Sequence, residues 1–386
     1  MSNISIYKDH CCGCGECAAI CPKQAIAMVC NDQGFLYPQV DKKLCVQCDL
    51  CVNHCTFNNT QNVRTGFSQQ SYAVKHKDSS VRASSRSGGI FTALSDWVLA
   101  KGGLVYGCKL ENNRYATHCR ASTHEVRNTF RGSKYIQSNT QHIFHNVKHD
   151  LKNGRWVLFS GTPCQTSAIS DFCADINCQR LILVDIVCHG VPSPKVWQDY
   201  LNFYERKQKS KVSSVDFRNK KDFGWAAHKE TIYFADGTSY SGESFKTLFY
   251  NHLILRDSCF ACPYKTLTRE SDITIADCWG IQEHHPDFDD NKGVSLVLIN
   301  TVQGQQLYQQ LQDIESISVD IQNLMQPCLM ENWPKPMNYN EFWKFYRQKS
   351  FAKVLDKYVY HRPTVRARIV YSVRSTLARI YQKIVK

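Results

Sequence analysis

A small α+β module followed by an α/β domain with a largely parallel sheet is the architecture the sequence predicts, on three observations. Ten of the 20 cysteines fall within the first 55 residues, eight of them in two matched groups. From Tyr72 onward, β-prone runs alternate with helical stripes, the rhythm of an α/β domain. A length of 386 residues with 43% hydrophobic and 21% charged residues suits about two domains and excludes wholesale disorder.

The first group runs Cys11-Cys12-Gly13-Cys14-Gly15-Glu16-Cys17 to Cys21-Pro22, and the second runs Cys45-Val46-Gln47-Cys48-Asp49-Leu50-Cys51 to Cys55. Both fit C-x2-C-x2-C-x3-C, and each cysteine of the first lies 34 residues before its counterpart, so residues 1–57 duplicate one half-domain. Three thiolates at these gaps line a tight loop around a cubane, and the fourth, one turn into the following helix, faces the other half. The spacing therefore assigns one 4Fe–4S cluster to Cys11, Cys14, Cys17 and Cys55, and another to Cys45, Cys48, Cys51 and Cys21, in a ferredoxin-like module. Zinc sites instead pair two separated CxxC motifs around one ion, whereas eight thiolates in two sets of four leave no remainder. Cys12 and Cys30 fit neither set and read as bystanders. Thr56 stands where Pro22 has its counterpart, a departure expected to alter the local turn and not ligation. Ala25–Cys30 and Phe35–Val40 are expected to form strands around the turn at Asn31–Gly34.

Residues 58–71 (NNTQNVRTGFSQQS) are polar and read as a linker to a domain spanning 72–340. Within it, Ile90, Phe91, Leu94, Trp97 and Val98 form a helical stripe that Gly102-Gly103 ends. Strands are expected at Leu104–Cys108, Trp156–Ser160, Leu181–Cys188, Asp272–Ala276 and Val294–Ile299. Cys164 and Cys188 each follow a predicted strand, where α/β sheets gather their ligand chemistry. Cys259-Phe260-Ala261-Cys262 adds a CxxC, so Cys164, Cys188, Cys259 and Cys262 are the preferred ligands of a third cluster, although an S4 set suits zinc as well. Cys278 also ends a strand and is a substitute for one of the four. Cys108, Cys119, Cys173, Cys178 and Cys328 carry no motif and read as ordinary core or surface thiols, and His118, His124, His142, His145 and His149 read as surface residues. Two segments suit phosphate: Ser85–Gly89, opening a helix, and Arg131–Tyr135, with two cations and a hydroxyl around Gly132. Neither is a Walker loop, and no GxGxxG follows a strand.

Taken in order, Ser87-Gly88-Gly89, Gly132-Ser133-Lys134-Tyr135, Gly161-Thr162-Pro163-Cys164-Gln165, Cys188-His189-Gly190-Val191-Pro192, Phe217-Arg218 with Gly224-Trp225, Cys259-x-x-Cys262 and Asp272-Ile273-Thr274 with Asp277-x-Trp279-Gly280 resemble the coenzyme F420 hydrogenase/dehydrogenase beta-subunit family, from about Lys8 to Thr301. The resemblance implies an FAD-binding oxidoreductase domain over 72–340, fused to the two-cluster module. It makes Ser87, Gly88, Gly89, Ser133, Lys134 and Tyr135 the candidates for FAD contacts, gives Lys134 a catalytic role at reduced flavin or its phosphate, and favours the third cluster. Similar fusions occur in polysaccharide gene clusters. The implied activity is electron transfer between a hydride carrier (a deazaflavin or another small molecule) and the clusters by way of FAD, in either direction, with a ferredoxin or other redox protein as partner. The rival reading is a non-catalytic electron-transfer subunit without flavin.

The formal charge is +13, but residues 335–386 hold 13 Lys/Arg against two acids, so the body is near neutral. No recognition motif accompanies the charge, and nucleic acid is not an expected partner. Residues 341–386 read as a basic amphipathic tail, with Val365, Ile369, Val373, Leu377, Ile380 and Ile384 at helical spacing. Such a helix suits either a peripheral contact with the inner face of a membrane or docking on protein. Met1–His10 lacks the pattern of a secretory signal and no apolar run reaches the roughly 18 residues of a membrane span, so a cytoplasmic protein with reduced thiols is expected.

Overall fold

The 34-residue repeat persists in the backbone of the computed structural model, which describes Ile4 and residues 10–59 and 66–361. Gly13 and Gln47 both take positive φ (74° and 56°), as do Gly15 and Asp49 (84° and 55°), so each thiol loop turns through the left-handed region at matching positions. A short helix follows each loop, Glu16–Ile20 and Leu50–Asn53. Between the halves, β1 (Ile26–Cys30) and β2 (Leu36–Val40) pair antiparallel, within a residue of the predicted strands.

The large domain is built on nine strands: β3 (Gln70–His76), β4 (Leu104–Glu111), β5 (Tyr115–Ala121), β6 (Ser138–Asn139), β7 (Val157–Gly161), β8 (Leu181–Ile186), β12 (Ile273–Asp277), β13 (Ser295–Ile299) and β14 (Ile314–Ser318). Their order is β14-β3-β13-β12-β8-β7-β4-β5-β6. The central neighbours β12, β8, β7 and β4 are parallel, as is the β5–β6 edge pair, while β4–β5, β12–β13, β13–β3 and β3–β14 are antiparallel. The expectation of a largely parallel sheet therefore holds for its centre; the whole is mixed. At β4–β5 the reason is local: Asn112 and Asn113 both take positive φ, giving a tight hairpin that can join only antiparallel strands. A separate three-stranded sheet holds β9 (Val212–Asp216), β10 (Glu230–Phe234) and β11 (Ser239–Gly242).

Helices cover the sheet. Ile90–Ala100 buries Ile90, Leu94 and Val98 against β3, β4 and β7, the stripe read from the sequence. Pro163–Phe172 follows β7 directly, its first turn closed by a Thr162–Gln165 capping box. The start of the segment read as a tail behaves differently. Helices Tyr339–Gln348 and Phe351–Tyr358 bury Phe342, Trp343, Val354 and Leu355 in a core shared with Trp197, Tyr200 and, from the N-terminal module, Phe35. Positive charge is confined to their outer faces, so composition alone made a packed segment read as a tail. Residues 362–386, and with them the amphipathic helix read over Val365–Ile384, lie outside the described residues. Among the described residues, no helix is long and apolar enough to cross a membrane.

Candidate functional site: three thiol sets and a cavity

The N-terminal cysteines gather as two sets. Burial pushes the Cys17 thiol up, reinforced by Cys11, Cys55 and Cys51. Cys51 is raised by burial, with Cys21 and Cys45 adding to it. Thus Cys55 lies near Cys17 and Cys21 near Cys51, while Cys51 also lies close enough to act on Cys17. Cys21, Cys45, Cys48 and Cys51 line one small cavity of about 30 Å³. Amide donors already face sulfur: Gly13 N–H to Cys11 and Ala25 N–H to Cys21, both at 3.3 Å, and Asn58 Nδ2 to Cys55 at 3.3 Å.

Cys164 enters the helix after β7 and Cys188 follows β8, so adjacent parallel strands deliver both to the sheet's carboxyl edge. Cys259 lies on the 3-10 turn Asp257–Ala261, with Cys262 just beyond it. The Cys164 thiol is raised by its hydrogen bond with Cys12 and then by burial, while burial raises Cys188, Cys259 and Cys262 and their neighbouring thiols raise them further, Cys259 to about 11 and Cys262 to about 12. Four part-buried thiols held this close give up their protons most readily to a compensating cation, so the donor set fits a metal or cluster. Cys278 is wholly buried in the apolar core with Val294 and Leu296 and plays no such part. Cys12, read as a bystander, occupies the junction: its thiol bonds with both Cys14 and Cys164, between the first set and the third.

Arg256 fixes that junction. This fully buried side chain donates from Nε to the Cys11 carbonyl (2.6 Å) and from Nη2 to the Leu36 carbonyl (2.9 Å), with its plane 4.0 Å over the Tyr37 ring. Gln137 donates to the Cys12 carbonyl and accepts from Leu36 N–H. On the opposite side, His54 Nδ1 meets Asp171 Oδ2 at 2.6 Å beside the buried Glu16, whose carboxyl is pushed up to about 11 by burial and by Asp171.

A cavity of about 660 Å³ opens over the carboxyl ends of β4, β7, β8 and β12, a size typical of small-molecule sites. Ser87, Gly89, Ser133, Lys134 and Tyr135 line it; Gly88 does not, being pressed instead against the backbone of Val74 and Ser295. Cys188 lines it too, so the third thiol set borders the cavity directly. Lys134 Nζ donates to the carbonyls of Thr129, Phe130 and Arg131 at 2.9–3.1 Å, which uses all three ammonium donors. In this position it keeps no ammonium donor for the cavity, and burial lowers it to about 8.

Several cavity residues escaped the sequence reading. His118 is buried, not on the surface: Nε2 meets the Ser160 carbonyl at 3.0 Å, the ring stacks on Phe159, and Nδ1 has no partner among the described residues. Burial lowers its pKa to about 4. The available signal was its two-residue step from the inward-facing Ala116 on β5. His189 meets His252 at 3.0 Å and Cys328 at 3.8 Å, and His228 meets the Tyr250 hydroxyl at 2.8 Å. Cys108 and Cys328, read as ordinary thiols, also line the cavity.

Residues 154–323 match the model of a family described as coenzyme F420 hydrogenase/dehydrogenase, C terminus of the beta subunit. This span holds Cys164, Cys188, Cys259 and Cys262 and the β7, β8 and β12 wall of the cavity, and over it the resemblance read from the motifs is borne out. Among solved structures, a chain of the F420-reducing NiFe hydrogenase complex from Methanosarcina barkeri, studied by xenon derivatization, is similar at 17% identity, over 75% of this chain and 91% of that one, with a TM-score of 0.48. No curated protein matches the chain.

Proposed function

We propose that the chain is an iron–sulfur flavin oxidoreductase, exchanging electrons between a hydride carrier, such as a deazaflavin, or another organic substrate and ferredoxin-type 4Fe–4S clusters. The observation that carries this reading is the double position of Cys188, in the wall of the cavity and in the four-thiol set beside it. From that set the path continues by Cys164 and Cys12 to the first N-terminal set.

FAD, when bound, supplies the exchange of a hydride pair on one side and of single electrons on the other. Its candidate contacts are Ser87, Gly89, Ser133 and Tyr135 on the cavity wall, with Lys134 contributing positive charge. The fit rests on the size of the cavity, and on His118 Nδ1 and buried guanidinium donors that have no partner among the described residues. Cys11, Cys14, Cys17 and Cys55 would hold one cluster, Cys21, Cys45, Cys48 and Cys51 a second, and Cys164, Cys188, Cys259 and Cys262 a third. A ferredoxin or similar protein would exchange single electrons with the N-terminal module.

Anaerobic purification followed by iron, labile-sulfide and acid-released flavin assays tests this. Three cubanes and one flavin predict about twelve irons with stoichiometric FAD. About eight irons and no flavin would support the electron-transfer subunit instead, and colourless protein free of sulfide would remove both.

A further inference from the structure

One wall of the cavity carries more positive charge than the described residues neutralise. Arg218, 4% exposed, spends Nη1 on Asp277 (2.6 Å) and Nη2 on the Trp225 carbonyl (3.2 Å), leaving Nε without an acceptor. The other Asp277 oxygen accepts from Trp225 Nε1. Arg86 gives Nη1 to the Arg218 carbonyl, and its buried Nε and Nη2 have no partner. Behind them Lys220 Nζ meets, among the described residues, the carbonyls of Arg82 (2.6 Å), Lys292 (3.0 Å) and Ser87 (3.5 Å). Arg82 pairs through Nη1 and Nη2 with both oxygens of Asp290. Among the described residues, Arg86 and Lys220 thus make no direct ion pair with a carboxylate, and only the longer-range fields of Asp277, Asp216 and Asp290 reach them. Burial lowers both, and neighbouring cations lower them further, more than Asp277, with Asp216 at Arg86 and Asp290 at Lys220, raises them, which leaves Lys220 at about 8. The amino end of helix Ile90–Ala100, whose N-cap Gly89 offers no side chain, opens onto the same wall.

Buried donors left open cost stability, and a cationic wall in a cavity persists where a ligand supplies the missing charge. We infer that Arg86 and Arg218, backed by Lys220 and the amino end of helix Ile90–Ala100, form a binding site for a phosphoryl anion. The donors converge from separate elements, which suits the several oxygens of phosphate or diphosphate, and guanidinium edges bind such groups in pairs of hydrogen bonds. Two sources share this chemistry: the diphosphate of a bound dinucleotide such as FAD, and a phosphorylated substrate. The site stands on its own geometry; only the choice of source rests on the function proposed above.

The test compares full-length wild type, Arg86→Gln and Arg86→Lys, all purified anaerobically, by flavin content and by calorimetric titration with inorganic pyrophosphate at constant ionic strength. Iron content equal to wild type certifies folding; if Arg86→Gln fails that check, Arg86→Lys, which keeps charge but loses the paired edge, takes its place. Loss of about tenfold in retained FAD by the variant, with a wild type that does not bind pyrophosphate, assigns the site to the dinucleotide. Retained FAD with pyrophosphate affinity weakened about tenfold assigns it to substrate. The inference is overturned if the variant matches wild type in both readouts within about twofold, or if a flavin-free wild type does not bind pyrophosphate. A flavin-free wild type that binds pyrophosphate through Arg86 would defeat the flavin reading and leave this site standing.

Discussion

His118 shows how a single buried side chain turns location into a measurable property. Its Nε2 is engaged by the Ser160 carbonyl and burial holds its pKa near 4, against an ordinary value of 6.5. Between those values the unfolded chain binds a proton that the folded chain refuses, so this residue makes stability fall as pH drops from 6.5 to 4, with no further loss below. His118→Gln should flatten that limb of the stability–pH curve by about 3 kcal/mol. Denaturation midpoints measured across the window check it; parallel limbs for wild type and variant would mean the ring is already protonated or solvated. The sequence hid this residue because a lone histidine with no cysteine partner at ligand spacing resembles any surface histidine. The eight N-terminal thiols were legible for the opposite reason: their spacing is short-range and duplicated. Arg86 and Arg218 stood in quoted motifs, but their convergence depends on β3, β9 and β12 meeting in space, which spacing does not encode.

At the scale of elements, the predicted central strands and the Ile90–Ala100 helix were readable because apolar runs and 3.6-residue stripes are local. Strand direction was not, since a β-prone run reads alike in either sense. The glycine motif before that helix separates two roles. A Cβ on Gly88 would stand 2.1 Å from the Val74 carbonyl oxygen and 2.6 Å from Ser295 N, atoms of β3 and β13 that cannot yield. Gly132 has φ +78° but open space around it. Gly88→Ala should therefore cost about 3 kcal/mol or more, and Gly132→Ala about 1–2 kcal/mol. Chemical denaturation of the two variants side by side decides this. Equal, mild losses would return Gly88 to the cavity surface as a ligand contact.

Across the whole molecule, the N-terminal module is seated by buried contacts. Arg256 bonds carbonyls of both the first thiol loop and β2, while Ala19 and Ile20 pack against the core of helices Phe144–Lys152 and Pro163–Phe172. Arg256→Ala leaves those carbonyls buried without donors and should lower stability by about 3 kcal/mol or more. Limited proteolysis should then release the module, whereas wild-type resistance to cleavage would show that the apolar contacts suffice. This seating brings Cys12 to Cys164, and with it the thiol sets into sequence from the cavity outward. The most direct test of that sequence is rapid anaerobic mixing of wild type and Cys188→Ser with a hydride donor, following flavin and cluster absorbance separately. In wild type, flavin bleaching should be followed by cluster bleaching; in Cys188→Ser the flavin should bleach while the N-terminal clusters stay oxidised. N-terminal clusters that bleach equally fast in both proteins would contradict a path running from the cavity through the third thiol set.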